Sequence, residues 1–277
     1  MRLKQSNYVI STIIVFLLLI FGSCEPTPSS QINLEQEHNR DGWHILAPGN
    51  GTMGLIHDNQ IHVYYYSDKR EWNLDRVSQF ILPDGIEGVL AFGMGYIGLV
   101  HDNLVDFYYL DSQNQWQKEE RMNMVLPEDY DRLIVMKMTY DMGVVGVVND
   151  KQIDFYKLDE DGKWRQDETA TFYIPEEVED YFAMGDMLMG IVDDNKLGFY
   201  YLTEAREWVF AHEHVLQIPG DYDAIIPYEP GTVGVMEDDV VRFYKIDDSS
   251  DQWIIDETLN FRWERYMSEL ERDKAAS

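Results

Sequence analysis

The sequence predicts an all-β protein assembled from five copies of one four-stranded unit. Self-similarity is the first sign: "MGLIHDNQIHVYYYSDKREW" at residues 53–72 is echoed by "IGLVHDNLVDFYYLDSQNQW" at residues 97–116. One glycine recurs as Gly54, Gly98, Gly146, Gly190 and Gly234, at spacings of 44, 48, 44 and 44 residues. A tryptophan recurs as Trp72, Trp116, Trp164, Trp208 and Trp253, and a tyrosine as Tyr64, Tyr108, Tyr156, Tyr200 and Tyr244. A fixed period of this length marks a repeat architecture. The second sign is local: each period holds four short runs rich in β-branched and aromatic residues, separated by turn residues.

The second unit displays the pattern in order. "GVLAFGMGY" is the first strand, "IGLVHD" the second, "LVDFYYLD" the third and "WQKEERMNMVLP" the fourth. The second and third strands are joined by two residues, Asp58-Asn59 in unit one and Asp102-Asn103 in unit two. Asp and Asn tolerate the positive φ of tight hairpin turns, so the aspartate column Asp58, Asp102, Asp150, Asp194, Asp238 has a structural reason to exist. Turns between third and fourth strands, such as "DEDGK", are longer and polar. A Leu/Ile-Pro pair closes four units at Pro83, Pro127, Pro175 and Pro219. The Trp and Tyr columns are expected to fill the gaps between units with their polar tips hydrogen-bonded. The glycine column is expected to permit close approach near a crowded axis.

Units of about 44 residues with four antiparallel strands are built like propeller blades. The chain thus resembles the five-bladed β-propeller superfamily over residues 41–261, from "GWHILA" to "WIIDETLNF". It lacks the Trp-Asp signature of WD40 blades and the double glycine of kelch blades. In repeat length it is also similar to tachylectin-type lectins, but none of their ligand-binding residues aligns with a motif here. The resemblance implies a ring whose first strands line the axis. Because the first unit supplies its own first strand and the last its own fourth, closure rests on packing between blades five and one. The tail, residues 262–277, reads as a short C-terminal helix with Trp263, Met267 and Leu270 on one face. That face is expected to cover the seam, with dimerisation the alternative; the protein is expected to be a monomer.

Ahead of the repeats, Arg2 and Lys4 precede an apolar run at residues 9–21, then Gly22, Ser23 and the single cysteine, Cys24. This is the layout of an export signal. Its 13 residues, broken by Ser11 and Thr12, fall short of the roughly 20 that span a bilayer. A free secreted product would place a small residue where Phe21 stands. Phe21-Gly22-Ser23-Cys24 resembles the bacterial lipobox, with Phe21 departing from the usual Leu. The resemblance implies a signal peptide at residues 1–23, lipidation of Cys24, and a cell-envelope lipoprotein, with the outer membrane favoured. "EPTPSSQ" at residues 25–31 then reads as the Pro/Ser-rich part of a tether extending to residue 40. With one cysteine, no intrachain disulfide can form.

The chain carries 22 Lys and Arg against 51 Asp and Glu, a net charge of −29. Loss of Arg2 and Lys4 with the leader takes the balance to −31. Such a charge disfavours nucleic acid and anionic headgroups and suits cationic partners. In a propeller the turns after second strands and the connections between blades share one face. There the aspartate column meets Glu128, Asp129, Asp131, Glu176 and Glu177 in an acidic rim. Just before each turn aspartate stands a column that changes identity: His57, His101, Asn149, Asp193, Glu237. These are the candidate recognition residues for a protein or glycan partner.

Oxygen-rich rims can bind Ca2+; Asp102, Asp150, Asp194 and Asp238 are the candidate ligands, although no stretch spells a calcium loop. No other cofactor is indicated. "HEH" places His212 and His214 on one face of a fourth strand without a third ligand. The alternative to a binding or scaffold module is a carboxylate-dependent glycoside hydrolase or lyase at the channel mouth. The first strands offer it only Lys137, Asp141, Asp186 and Glu229 among apolar residues. Nucleophile motifs and phosphate loops are absent.

Overall fold

The computed structural model describes residues 29–33, 44–46 and 52–276, apart from 94–95, 114, 139–140, 186, 230, 248 and 251. Over these residues the five units form the five blades of a β-propeller. Blade 1 comprises β2 (His44–Leu46), β3 (Thr52–His57), β4 (Gln60–Tyr66) and β5 (Trp72–Ile81). Blade 2 comprises β6 (Gly88–Gly93), β7 (Tyr96–His101), β8 (Leu104–Leu110) and a fourth strand in two pieces, β9 (Trp116–Lys118) and β10 (Met124–Val125). Blade 3 has β11 (Arg132–Met138), β12 (Asp141–Asn149), β13 (Gln152–Leu158), β14 (Trp164–Gln166) and β15 (Phe172–Tyr173). Blade 4 has β16 (Asp180–Gly185), β17 (Leu188–Asp193), β18 (Lys196–Leu202), β19 (Trp208–Phe210) and β20 (Leu216–Gln217). Blade 5 has β21 (Ala224–Glu229), β22 (Thr232–Glu237), β23 (Val240–Asp247) and β24 (Gln252–Arg262), which runs into helix α1 (Trp263–Ala276).

Each fourth strand is interrupted by a bulge, and the bulge explains the tryptophan column. Extra residues in a strand leave backbone groups off the ladder, and a buried carbonyl left there must find a donor. The donor is the tryptophan of the next blade. Trp116 Nε1 donates to the Ser78 carbonyl at 3.3 Å, Trp164 to Met122 at 2.6 Å, Trp208 to Ala170 at 3.1 Å and Trp253 to His214 at 3.0 Å. Trp72 of blade 1 donates to Leu259 of blade 5 at 2.9 Å, so the ring closes by the same joint that links every other pair. The indoles lie against aromatic rings of the preceding blade, among them Trp164 on Phe107 at 5.4 Å, Trp253 on Phe199 at 5.7 Å and Trp72 on Phe243 at 6.4 Å. The tyrosines pack the same joints, as Tyr108 against Phe80 and Tyr200 against Phe172 show.

A carboxylate three residues after the tryptophan shapes the bulge in four blades. Asp167 Oδ1 accepts from the Thr169 amide and hydroxyl, and Asp256 Oδ1 does the same with Thr258. Asp75 accepts from Ser78, and Glu119 from the Arg121 amide. Lys157 and Lys245 neutralise Asp167 and Asp256 at 2.7 and 2.6 Å. Partial burial would raise the Asp167 carboxyl, but hydrogen bonds from Lys157, Thr169 and Arg206 outweigh it and hold it well below the usual range.

The glycine column is also explained, by a different neighbour from the one expected. Each glycine pairs with a large first-strand residue: Gly54 with Leu46, Gly146 with Ile134, Gly190 with Phe182. A Cβ at these glycines would meet that residue's side chain at 2.7, 2.6 and 2.3 Å. The crowding therefore comes from the cross-strand side chain of the same blade. The helix covers the seam between blades five and one, as its apolar face predicts. Trp263, Tyr266 and Leu270 are buried with Met53, Tyr64 and Trp72 of blade 1 and Ile226, Phe243 and Phe261 of blade 5, with Met267 half-buried beside them. Trp263 Nε1 also donates to the Asp238 carbonyl at 3.0 Å.

The stretch whose composition reads as a tether contains a strand. β1 (Ser29–Asn33) pairs with the first strands of blades 2, 3 and 4 and joins those blades into one sheet. Cys24 and the export segment lie outside the described residues, among which no helix is long and apolar enough to cross a membrane.

The joint can be tested by comparing two substitutions. Trp208→Phe should cost about 1 kcal/mol, chiefly the lost hydrogen bond, whereas Trp208→Ala should cost about 3–5 kcal/mol by opening a cavity. Urea unfolding at pH 7 measures both.

Candidate functional site

The face carrying the second-to-third-strand turns is built by backbone geometry. Asp58 and Asn59 have φ of 48° and 59°, Asp102 and Asn103 45° and 60°, Asp194 and Asn195 48° and 58°. This is the double positive φ of a tight hairpin turn, at residues that accept it at low cost. In blades 3 and 5 the second position is Lys151 or Asp239, and only Asp150 and Asp238 have positive φ, 54° and 53°. Those two turns recruit an upstream acid. The Asp150 amide donates to Asp131 Oδ2 at 2.6 Å and the Asp238 amide to Asp223 Oδ2 at 2.7 Å. Asp131 and Asp223 are therefore turn supports, which the repeat pattern alone does not reveal. A signal is nevertheless present: the supporting Asp stands before those two blades, while Glu87 and Glu179 precede blades whose turns contain Asn.

His57, His101, Asn149, Asp193 and Glu237 are the last residues of their second strands, all on this face. Most are engaged within their own blades. His101 Nε2 lies 3.0 Å from Asp106 Oδ2, and Lys118 approaches the same oxygen at 2.6 Å. His57 Nε2 lies 3.3 Å from Asp58, Asn149 Nδ2 donates to the Asp129 carbonyl at 3.2 Å, and Glu237 pairs with Arg242. Asp193 is exposed. The column thus provides five local environments sharing one face. Arg132 bridges blades here, 3.2 Å from Asp180 and stacked over Tyr181 at 5.2 Å.

The turn aspartates extend past these pairs. The side chains of Asp58, Asp102 and Asp194 are 64%, 92% and 82% exposed. Among the described residues no three His, Cys, Asp or Glu side chains gather closely enough to hold a metal ion. Asp102, Asp150, Asp194 and Asp238 are accordingly separate turn residues, and Asp194 has Lys196 at 3.5 Å. His212–His214 is a 3-10 turn within the blade 4 bulge, not a strand; His212 is exposed against Phe210 and His214 is buried. A strand would have put both rings on one face, and the bulge separates them.

Around the axis the first strands bury Leu90, Phe92, Ile134, Met136 and Met184. The side chains of Lys137, Asp141, Asp186 and Glu229 lie outside the described residues, and nothing described there places a carboxylate pair at the axis.

No protein-family profile matches the sequence, and no curated protein does. Solved structures are similar in fold at low identity. A protein from Lactobacillus plantarum matches at 12% identity and TM-score 0.39, over 75% of this chain and 67% of its own. Hsv2 of Kluyveromyces lactis matches at 12% and 0.41, over 79% and 62%. A functionally unknown protein of Desulfotomaculum acetoxidans matches at 8% and 0.34, over 84% and 69%.

The Asp106 cluster has a pH signature. Burial opposes ionisation, but Lys118 and His101 together hold the Asp106 carboxyl below its usual range. A depressed folded pKa stabilises above the unfolded value near 4, and the contribution is lost as pH falls through the folded one. Asp106→Asn should cost about 1–3 kcal/mol at pH 7, and the difference from the parent should shrink steadily in urea unfolding as pH falls below about 4.

Proposed function

We propose that this protein is a lipid-anchored binding module of a bacterial envelope that engages a protein or glycan bearing cationic groups, using the carboxylates of the turn face. The observation that carries this reading is the exposure of Asp58, Asp102 and Asp194, which project from rigid turns on one face. Rigid turns hold the charges in place before a partner arrives, so little conformational entropy is lost on binding. The anchor rests on the lipobox-like residues 21–24, and the total of 51 acids against 22 bases supports a cationic partner. The varying column beneath the turns supplies the differences that distinguish one blade from another.

Asn accepts positive φ as readily as Asp, so the turns permit a clean test. The triple variant Asp58→Asn, Asp102→Asn, Asp194→Asn should keep its unfolding midpoint. Partners captured by a photo-crosslinker placed at Glu128 in intact cells should bind it about threefold to a hundredfold more weakly, at about 0.2–1 kcal/mol per exposed pair. Binding should also weaken steeply with salt; indifference to salt would exclude the charge-based reading.

The anchor is tested separately. Cys24→Ala should move the protein from the membrane pellet to the soluble fraction, and retention in the pellet would refute lipidation.

A further inference from the structure

We infer that β1 is an axial strap that fixes how the propeller stands on the bilayer, with the turn face directed away from the membrane. The inference rests on the lipid-anchor reading above for its membrane half and on strand pairing for the rest.

Direction follows from the register. β6 begins at Gly88, beside the turn face, and runs to Gly93 at the opposite face. β1 is antiparallel to it, with Asn33 opposite Gly88, Ile32 opposite Val89 and Gln31 opposite Leu90. Lower in the channel Ser30 pairs with Ile134, and Ser29 with Val135 and Ala183. Asn33 therefore lies at the turn-face end of the axis and Ser29 toward the other mouth. β1 thus runs along the axis toward the candidate recognition residues, with its first residue on the side of the opposite mouth.

Chain length makes this a constraint on orientation. Four residues lie between Cys24 and Ser29, and the five steps from one to the other, fully extended, reach at most about 18 Å. A lipid on Cys24 would then draw the opposite face, with its third-to-fourth-strand turns, toward the bilayer. Charge acts in the same sense by difference. The turn face carries most of the carboxylates of the turns and connections, which anionic headgroups repel, while in the opposite-face turn at Ser67 to Glu71 the bases Lys69 and Arg70 offset Asp68 and Glu71. β1 has a second effect in the fold. First strands are the inner edges of their blades, and an edge leaves backbone donors and acceptors without partners. β1 supplies partners to three of the five. A free linker of the same length would let the domain tumble over its anchor; a strap paired along Ser29 to Asn33 does not.

Two measurements on the full chain test the two halves. Hydrogen exchange of detergent-solubilised protein should find the amides of Gln31 to Asn33 slowed about a hundredfold or more against unstructured peptide, in step with Gly88 to Gly93. Exchange at the unstructured rate would overturn the strap. For orientation, Gln113→Cys on the opposite face and Glu128→Cys on the turn face give one spin label each, because lipidated Cys24 is unreactive. In phosphatidylethanolamine–phosphatidylglycerol vesicles containing a nickel-chelating lipid, relaxation should be enhanced at position 113 and not at 128. Equal enhancement at both sites, or greater enhancement at 128, would overturn the orientation. If the protein does not float with the vesicles, the lipid-anchor reading fails and the orientation with it, while the exchange result still decides the strap.

Discussion

The indole hydrogen bond across each blade–blade joint is the constraint from which the rest of this fold follows. A bulge in the fourth strand turns a carbonyl out of its own ladder, and the tryptophan of the next blade satisfies it. Neither part is stable alone: the carbonyl would be buried without a donor, and the indole would be exposed on a blade edge. This mutual dependence makes five marginal sheets one cooperative ring. It also removes the need for a blade shared between the termini, since the joint between Trp72 and Leu259 equals the others. Helix α1 then covers that seam with Trp263, Tyr266 and Leu270, where blades far apart in sequence meet.

Features that repeat are legible in the sequence, because five copies average out local accident. The tryptophan, tyrosine and turn-aspartate columns each match a physical requirement of a blade, and the structure places them accordingly. Features that occur once, or that depend on two columns together, are not legible. Ser29–Asn33 has the composition of a linker, and its strand exists only because three inner edges already wait for a partner. The bulge that carries His212–His214 cannot be told from a continuous strand by hydrophobic pattern, since both alternate similarly. The role of Asp131 and Asp223 emerges only when the connection and the turn are read as a pair, with the missing Asn of the turn as the cue.

The candidate site shows the same division. Its positions are foreseeable, because the last residue of each second strand must lie beside the turn. Its chemistry is not, because polar residues at strand ends meet whatever the third strand offers. His101 meets Asp106, which Lys118 also neutralises, and Glu237 meets Arg242. A variable column need not be a free column; here variation on one strand is answered by variation on the next.

The placement of the cations determines where the surplus negative charge is left to act. With 22 bases to 51 acids, most carboxylates must lack a cationic partner. Several bases stand where a carboxylate is partly buried and supports the fold. Lys118 stands at Asp106, Lys157 and Arg206 at Asp167, and Lys245 at Asp256. Leaving those acids unpaired would destabilise the ring, since a charge removed from water must be neutralised or hydrogen-bonded. Turn aspartates need no such neutralisation, because water solvates them and their backbone conformation alone justifies their place. Structural demand thus accounts for the cations at Asp106, Asp167 and Asp256. Part of the negative charge that remains stands on the exposed turns, where the Asp58, Asp102 and Asp194 side chains reach into solvent.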